Sequence, residues 1–93
     1  MDINDIKKKI TSVLKNYGIT KAGIFGSIVR GEEKDNSDID LLVQLPEKAS
    51  LLELAGLKID LEELLGKEFD VVTYDSLHPL LRDRILNEEV AVL

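Results

Sequence analysis

Three aspartates stand in apolar company. Asp38 and Asp40 alternate with Ile39 and Leu41 in SDIDLLV, and Asp70 lies in FDVV. A carboxylate drawn into apolar surroundings is costly unless it is paired or bound to a metal. On an extended strand alternate residues share a face, so Asp38, Asp40 and Leu42 point one way and Ile39, Leu41 and Val43 the other. The two carboxylates are then ~7 Å apart along the backbone. Their side chains can converge on a pair of divalent ions about 4 Å apart, the spacing of two-metal phosphoryl transfer. An all-oxygen site completed by water and substrate phosphates suits Mg²⁺. Asp70 joins them if its strand lies beside theirs, and Tyr74, four residues on, would share that face.

Ser27 precedes Asp38 by eleven residues and follows Gly26. Gly26 permits close approach of the backbone, and a helix beginning there offers unpaired N–H groups to an anion. Ser27 adds a hydroxyl donor, and Arg30, one turn later, a positive charge for phosphates. A triphosphate gripped at this turn has its α-phosphate carried towards the carboxylates. Alone, Gly-Ser is an ordinary strand-to-helix turn and Asp-x-Asp an ordinary solvent-facing alternation. In this order, with an Asp in a later apolar strand, they point to an active site. Arg30 has a second reading, as a surface charge paired with Glu32 or Glu33.

These residues need a scaffold. Ile3, Ile6, Ile10, Val13 and Leu14 recur at helical spacing, predicting a helix over Asn4 to Tyr17 that stops at Gly18. KAGIF, Lys21 to Phe25, reads as a strand, and Ser27 to Arg30 as a short helix closed by Gly31. A second strand is expected from Asp38 to Leu45, ended by Pro46. Ser50 to Leu65 is a long helix with Leu51, Leu54, Leu57, Leu61, Leu64 and Leu65 as its core stripe. EFDVVTY, Glu68 to Tyr74, is a third strand, and Pro79 opens a last helix to Asn87. Val90 to Leu93 is a terminal strand or a packed tail. The order α-β-α-β-α-β-α implies an α/β (α+β) domain, a small mixed sheet of three to four strands with helices against it. The helix between the second and third strands favours a parallel pair there, and the shorter link before them permits an antiparallel one. His78 reads as a turn residue, Tyr74 as packing rather than a platform for adenine, and Glu32, Glu33, Glu62, Glu63, Glu88 and Glu89 as solvated faces.

Ninety-three residues, 44% of them apolar, make one domain spanning 1–93 with little left over after one core. The net charge of −6 argues against a direct nucleic-acid binder, which needs a basic face. Without cysteine there is no disulfide framework and no thiolate zinc site. Neither a signal peptide nor a membrane-spanning stretch is apparent, which makes the cytoplasm the expected compartment.

GSIVRG, SDIDLLV and FDVV together resemble the minimal nucleotidyltransferases, the small branch of the DNA polymerase beta-like superfamily. Gly31 and Ser37 match as well, and the likeness runs to the closing HPLLRDRILNEEVAVL. The resemblance implies the nucleotidyltransferase fold, with Asp38, Asp40 and Asp70 as catalytic metal ligands and Gly26, Ser27 and Arg30 as nucleotide-binding residues. It further implies two Mg²⁺ ions, with Mn²⁺ as the alternative, and ATP as substrate. Members of this branch are similar to antitoxins of type VII toxin–antitoxin pairs. Such antitoxins transfer AMP to a tyrosine of a HEPN-domain toxin encoded by the neighbouring gene. Two other readings stay open: a catalytically silent nucleotide- or toxin-binding module, and a nucleotidyltransferase acting on a small molecule or RNA. A homo-oligomer is also left open.

Overall fold

In the computed structural model, residues 2–32, 34 and 37–93 are described. Helix α1 (Ile3–Asn16) starts at Asp2, whose side chain accepts the Asn4 N–H at 3.0 Å. It buries Ile6, Ile10 and Leu14, one residue per turn along a single stripe. Gly18, at φ 74°, then turns the chain into strand β1 (Lys21–Phe25). The short helix α2 (Ser27–Arg30) ends at Gly31 and is followed by β2 (Ile39–Gln44). Helix α3 (Leu51–Leu65) is capped by Ser50 and stopped by Gly66 in the left-handed conformation. Strand β3 (Phe69–Thr73), a single 3₁₀ turn (Tyr74–Ser76), α4 (Pro79–Glu88) and the two-residue β4 (Val90–Ala91) complete the chain.

The sheet has the order β3-β2-β1-β4. β1 runs antiparallel to β2 and to β4, and β2 parallel to β3, so the 15-residue α3 makes the crossover that a parallel pair requires. On one face Ile39, Leu41 and Val43 meet the stripe of α1 and Leu57 and Leu61 of α3, with Phe69 from β3, in the main core. Burying each of these large side chains stabilises the fold by about 1.5–3 kcal/mol. The opposite face of β2 carries Asp40 and Leu42. Leu42 is fully buried yet lies outside the main core, so this face too is covered at its middle.

The structure departs from the expected core in α3. Leu57 and Leu61 are buried, and Leu54 and Leu65 partly so, but Leu51 is 82% and Leu64 48% exposed. Leucines and Ile59 sit around too much of this helix for one sheet face to cover them all. Asp38 lies just before β2 rather than inside it, and the terminal strand is shorter than the tail that contains it. Among the described residues no helix is long and apolar enough to cross a membrane.

Candidate active site

The register decides what sits beside what. Phe25 of β1 faces Asp40 of β2, and Asp40 faces Asp70 of β3, so the three form one row across the sheet. Asp38 is exposed at the head of β2, Asp70 is exposed, and Asp40 is half-buried. Burial pushes the Asp40 carboxyl up to about 6, with the negative charges of Asp70 and then Asp38 adding to it. Arg30 opposes that rise, and Glu88 reinforces it. Three acidic oxygen donors thus crowd one sheet end, a donor set that suits a hard divalent cation. Among the described residues, however, no three acidic or imidazole side chains are drawn together closely enough to grip a single ion as they stand.

Gly26 is where β1 turns into α2, at φ 84° and ψ −155°. Only glycine takes that backbone readily. A Cβ there would also collide with Asp40 Oδ2. The sequence reads Gly26 as room for a phosphate; the group that uses the room in this structure is the Asp40 carboxylate. Val29 and Arg30 both donate their N–H groups to the Gly26 carbonyl, at 3.1 and 3.3 Å. Ser27 and Ile28 occupy the first turn, where no helical carbonyl is available to their amides. Among the described residues, no N-cap side chain accepts from these amides.

Arg30 is paired on two sides. Its Nε donates to Glu32 Oε2 at 3.1 Å and its Nη1 to Glu88 Oε1 at 2.8 Å. Glu32, read from sequence as its surface partner, is therefore one of two; the other option, Glu33, lies outside the described residues. Glu88 Oε1 also accepts the Gly26 N–H at 2.7 Å. The Glu88 side chain is only 14% exposed, so its reading as part of a solvated face is overturned. A cavity of about 210 Å³ opens between this turn and α4. Gly26, Arg30 and Asp40 line it together with Leu81, Arg84 and Ile85 of α4.

Residues 8–93 match the family described as polymerase beta, nucleotidyltransferase. The chain belongs to this family. A Methanocaldococcus jannaschii protein provisionally named a protein adenylyltransferase is 59% identical over 93 residues, all of both chains. Protein adenylyltransferase MntA of Thermococcus cleftensis is 42% identical over 78 residues, 84% of this chain and 79% of that one. Among solved structures, one provisionally described as a minimal nucleotidyltransferase has a TM-score of 0.83 at 38% identity, covering 97% of this chain and 95% of that one. The complex of tri-AMPylated Shewanella oneidensis HEPN toxin with MNT antitoxin gives 0.74 at 18% identity, over 97% of this chain and 71% of that one. At that identity the likeness is one of fold.

Other residues of this nucleotidyltransferase singled out by sequence fall outside the row of carboxylates. Tyr74 is buried just after β3 and donates its hydroxyl to Glu89 Oε2 at 2.8 Å. The Lys21 Nζ sits 4.5 Å from the centre of its ring. Burial first, and then Glu89, push the phenol far above its ordinary value. Tyr74 is a packing residue here. The Glu89 carboxylate lies over Gly23, where any Cβ would strike it, so Glu89 also leaves the solvated set. His78 caps α4, with its Nδ1 accepting the Leu80 N–H at 3.1 Å, as its place before Pro79 suggests. Glu88, Glu89 and Arg84 are the residues that sequence reasoning missed. No local pattern marks them: Glu88 binds Gly26 from 62 residues away, Glu89 binds Tyr74 from 15 residues away, and Arg84 lines the cavity between the turn and α4.

Proposed function

We propose that this nucleotidyltransferase moves AMP from ATP to a hydroxyl of a protein partner, a tyrosine of a HEPN-type toxin, and so acts as an antitoxin. The observation that carries the reading is the single row of Asp40 and Asp70 beside the Gly26–Ser27 turn and Arg30. The names borne by relatives that match most of the chain supply the acceptor class. The toxin-bound antitoxin of the same fold supplies the partner.

In this reading the first-turn amides of α2, the Ser27 hydroxyl and the Arg30 guanidinium hold the outer phosphates of ATP. Asp38, Asp40 and Asp70 are the residues that would hold divalent ions, two Mg²⁺ or alternatively Mn²⁺. Such ions, when bound, neutralise phosphate charge and make the acceptor hydroxyl more acidic. The acceptor oxygen attacks the α-phosphorus in line, a new O–P bond forms, and the bond to the β-phosphate oxygen breaks to release diphosphate. Asp70, exposed at the outer end of the row, takes the hydroxyl proton. The chain spends most of its apolar residues on one core, which leaves the acceptor to bring its own docking surface. The proposed compartment is the cytoplasm.

The test is to incubate the protein with ATP, Mg²⁺ and the product of the adjacent gene, then weigh both proteins intact. A gain of one AMP mass, or several, on a tyrosine of the partner is expected. An unmodified partner beside an adenylylated small molecule or RNA end would remove the antitoxin reading and leave a nucleotidyltransferase of another acceptor. ATP bound but never turned over would leave a silent binding module.

A further inference from the structure

Glu88 reaches the proposed phosphate turn from the far end of the chain. It is the last residue of α4, and immediately beyond it Val90 and Ala91 pair with Ile24 and Gly23 of β1. That pairing pins the end of α4 against the strand that leads into Gly26. One carboxylate oxygen of Glu88 then accepts two bonds, from the Gly26 N–H and from Arg30 Nη1. We propose that Glu88 is a positioning residue, which orients the Arg30 guanidinium and the Gly26 turn to receive the phosphates of the nucleotide. The inference rests on the phosphate reading of this turn given above.

The donor arithmetic favours positioning over blockage. A guanidinium has five N–H donors. Among the described residues Glu88 and Glu32 engage one each, which leaves three for an anion. The amides of Ser27 and Ile28 are likewise not engaged by Glu88, which holds the amide just before them. Without Glu88, Arg30 keeps, among the described residues, only the more exposed Glu32 as an ionic partner, and its long side chain regains rotamers that a bound nucleotide would have to freeze. Arg84 lines the same cavity as Arg30, so a correctly aimed Arg30 offers a nucleotide there a second cation.

The test measures binding of a non-hydrolysable ATP analogue with Mg²⁺, by calorimetry, to the full chain and its variants. Glu88→Ala and Arg30→Ala are each expected to weaken binding about tenfold, and the double variant by clearly less than the two losses combined, because Glu88 acts in part through Arg30. Glu88→Gln, whose amide oxygen can accept the same two bonds, is expected to stay within about threefold of the wild type. Thermal melts at matched conditions establish that each variant is folded at the assay temperature. Tighter binding by Glu88→Ala or Glu88→Gln would show that Glu88 competes with the phosphates and would overturn the proposal. So would unchanged affinity in Glu88→Ala with only a lower melting temperature, or full additivity with Arg30→Ala. Ser27→Ala separates the two levels of the argument. Normal binding in Ser27→Ala would move the phosphate site elsewhere and take the Glu88 inference with it. Weakened binding there beside normal binding in Glu88→Ala would sink the Glu88 inference alone.

Discussion

Asp40→Asn should make the metal-free protein more stable while abolishing AMP transfer. The Asp40 carboxyl is raised from 3.8 to about 6, so the folded state holds its proton more tightly than the unfolded chain does. Below about pH 4 the carboxyl is protonated in both states and has no effect. As pH rises through about 6, the folded protein must ionise Asp40 against burial and against Asp70 and Asp38, and stability is lost. A rise of about two pH units, at about 1.4 kcal/mol each, sets a ceiling near 3 kcal/mol at neutral pH. Because the carboxyl is only half-buried, solvent screening reduces the expected gain to about 1–2 kcal/mol. For a domain of this size that is a melting temperature about 5–15 °C higher. The assay is a thermal melt of both proteins in chelator from pH 4 to 8. The wild type should fall away from the variant as pH rises, and the two should converge near pH 4. Added Mg²⁺ should raise the wild-type melting temperature more than the variant's. Asp40→Asn melting below the wild type at neutral pH, or parallel curves across the whole range, would refute the charge-crowding argument. Near-normal transfer by the variant would refute the role of Asp40.

Ser27→Ala should weaken ATP binding roughly tenfold, the order of one lost charge-assisted hydrogen bond, yet keep the Mg²⁺-induced rise in melting temperature. Gly26→Ala forces a Cβ into Asp40 Oδ2 at a backbone angle hostile to other residues, and should cost about 1–3 kcal/mol in a chemical melt together with most activity. Tyr74→Phe removes the donor to Glu89 and should destabilise by about 1–3 kcal/mol, while ATP affinity in the folded protein stays unchanged. A selective loss of ATP affinity in that variant would restore Tyr74 as a nucleotide contact.

What the sequence determined by itself is what local physics writes into short stretches. The stripe Ile6, Ile10, Leu14 fixes a buried helix face because helical spacing needs no partner to be recognised. Gly18, Gly31 and Gly66 mark chain reversals because each takes a left-handed backbone. Asp38 and Asp40 head a strand whose alternate residues enter the core, and the length of α3 was enough to make β2 and β3 parallel. Tertiary structure decided the rest, because it depends on residues distant in sequence. The register that sets Asp40 opposite Asp70 comes from strand pairing across α3, and no spacing in either strand encodes it. Leu51 and Leu64 look like Leu57 and Leu61 in the chain, yet only the sheet's finite width says which are covered. Glu88 looks like any acidic residue at a helix end. Its role at Gly26, 62 residues away, exists only because β4 pairs with β1 and carries the end of α4 to the turn.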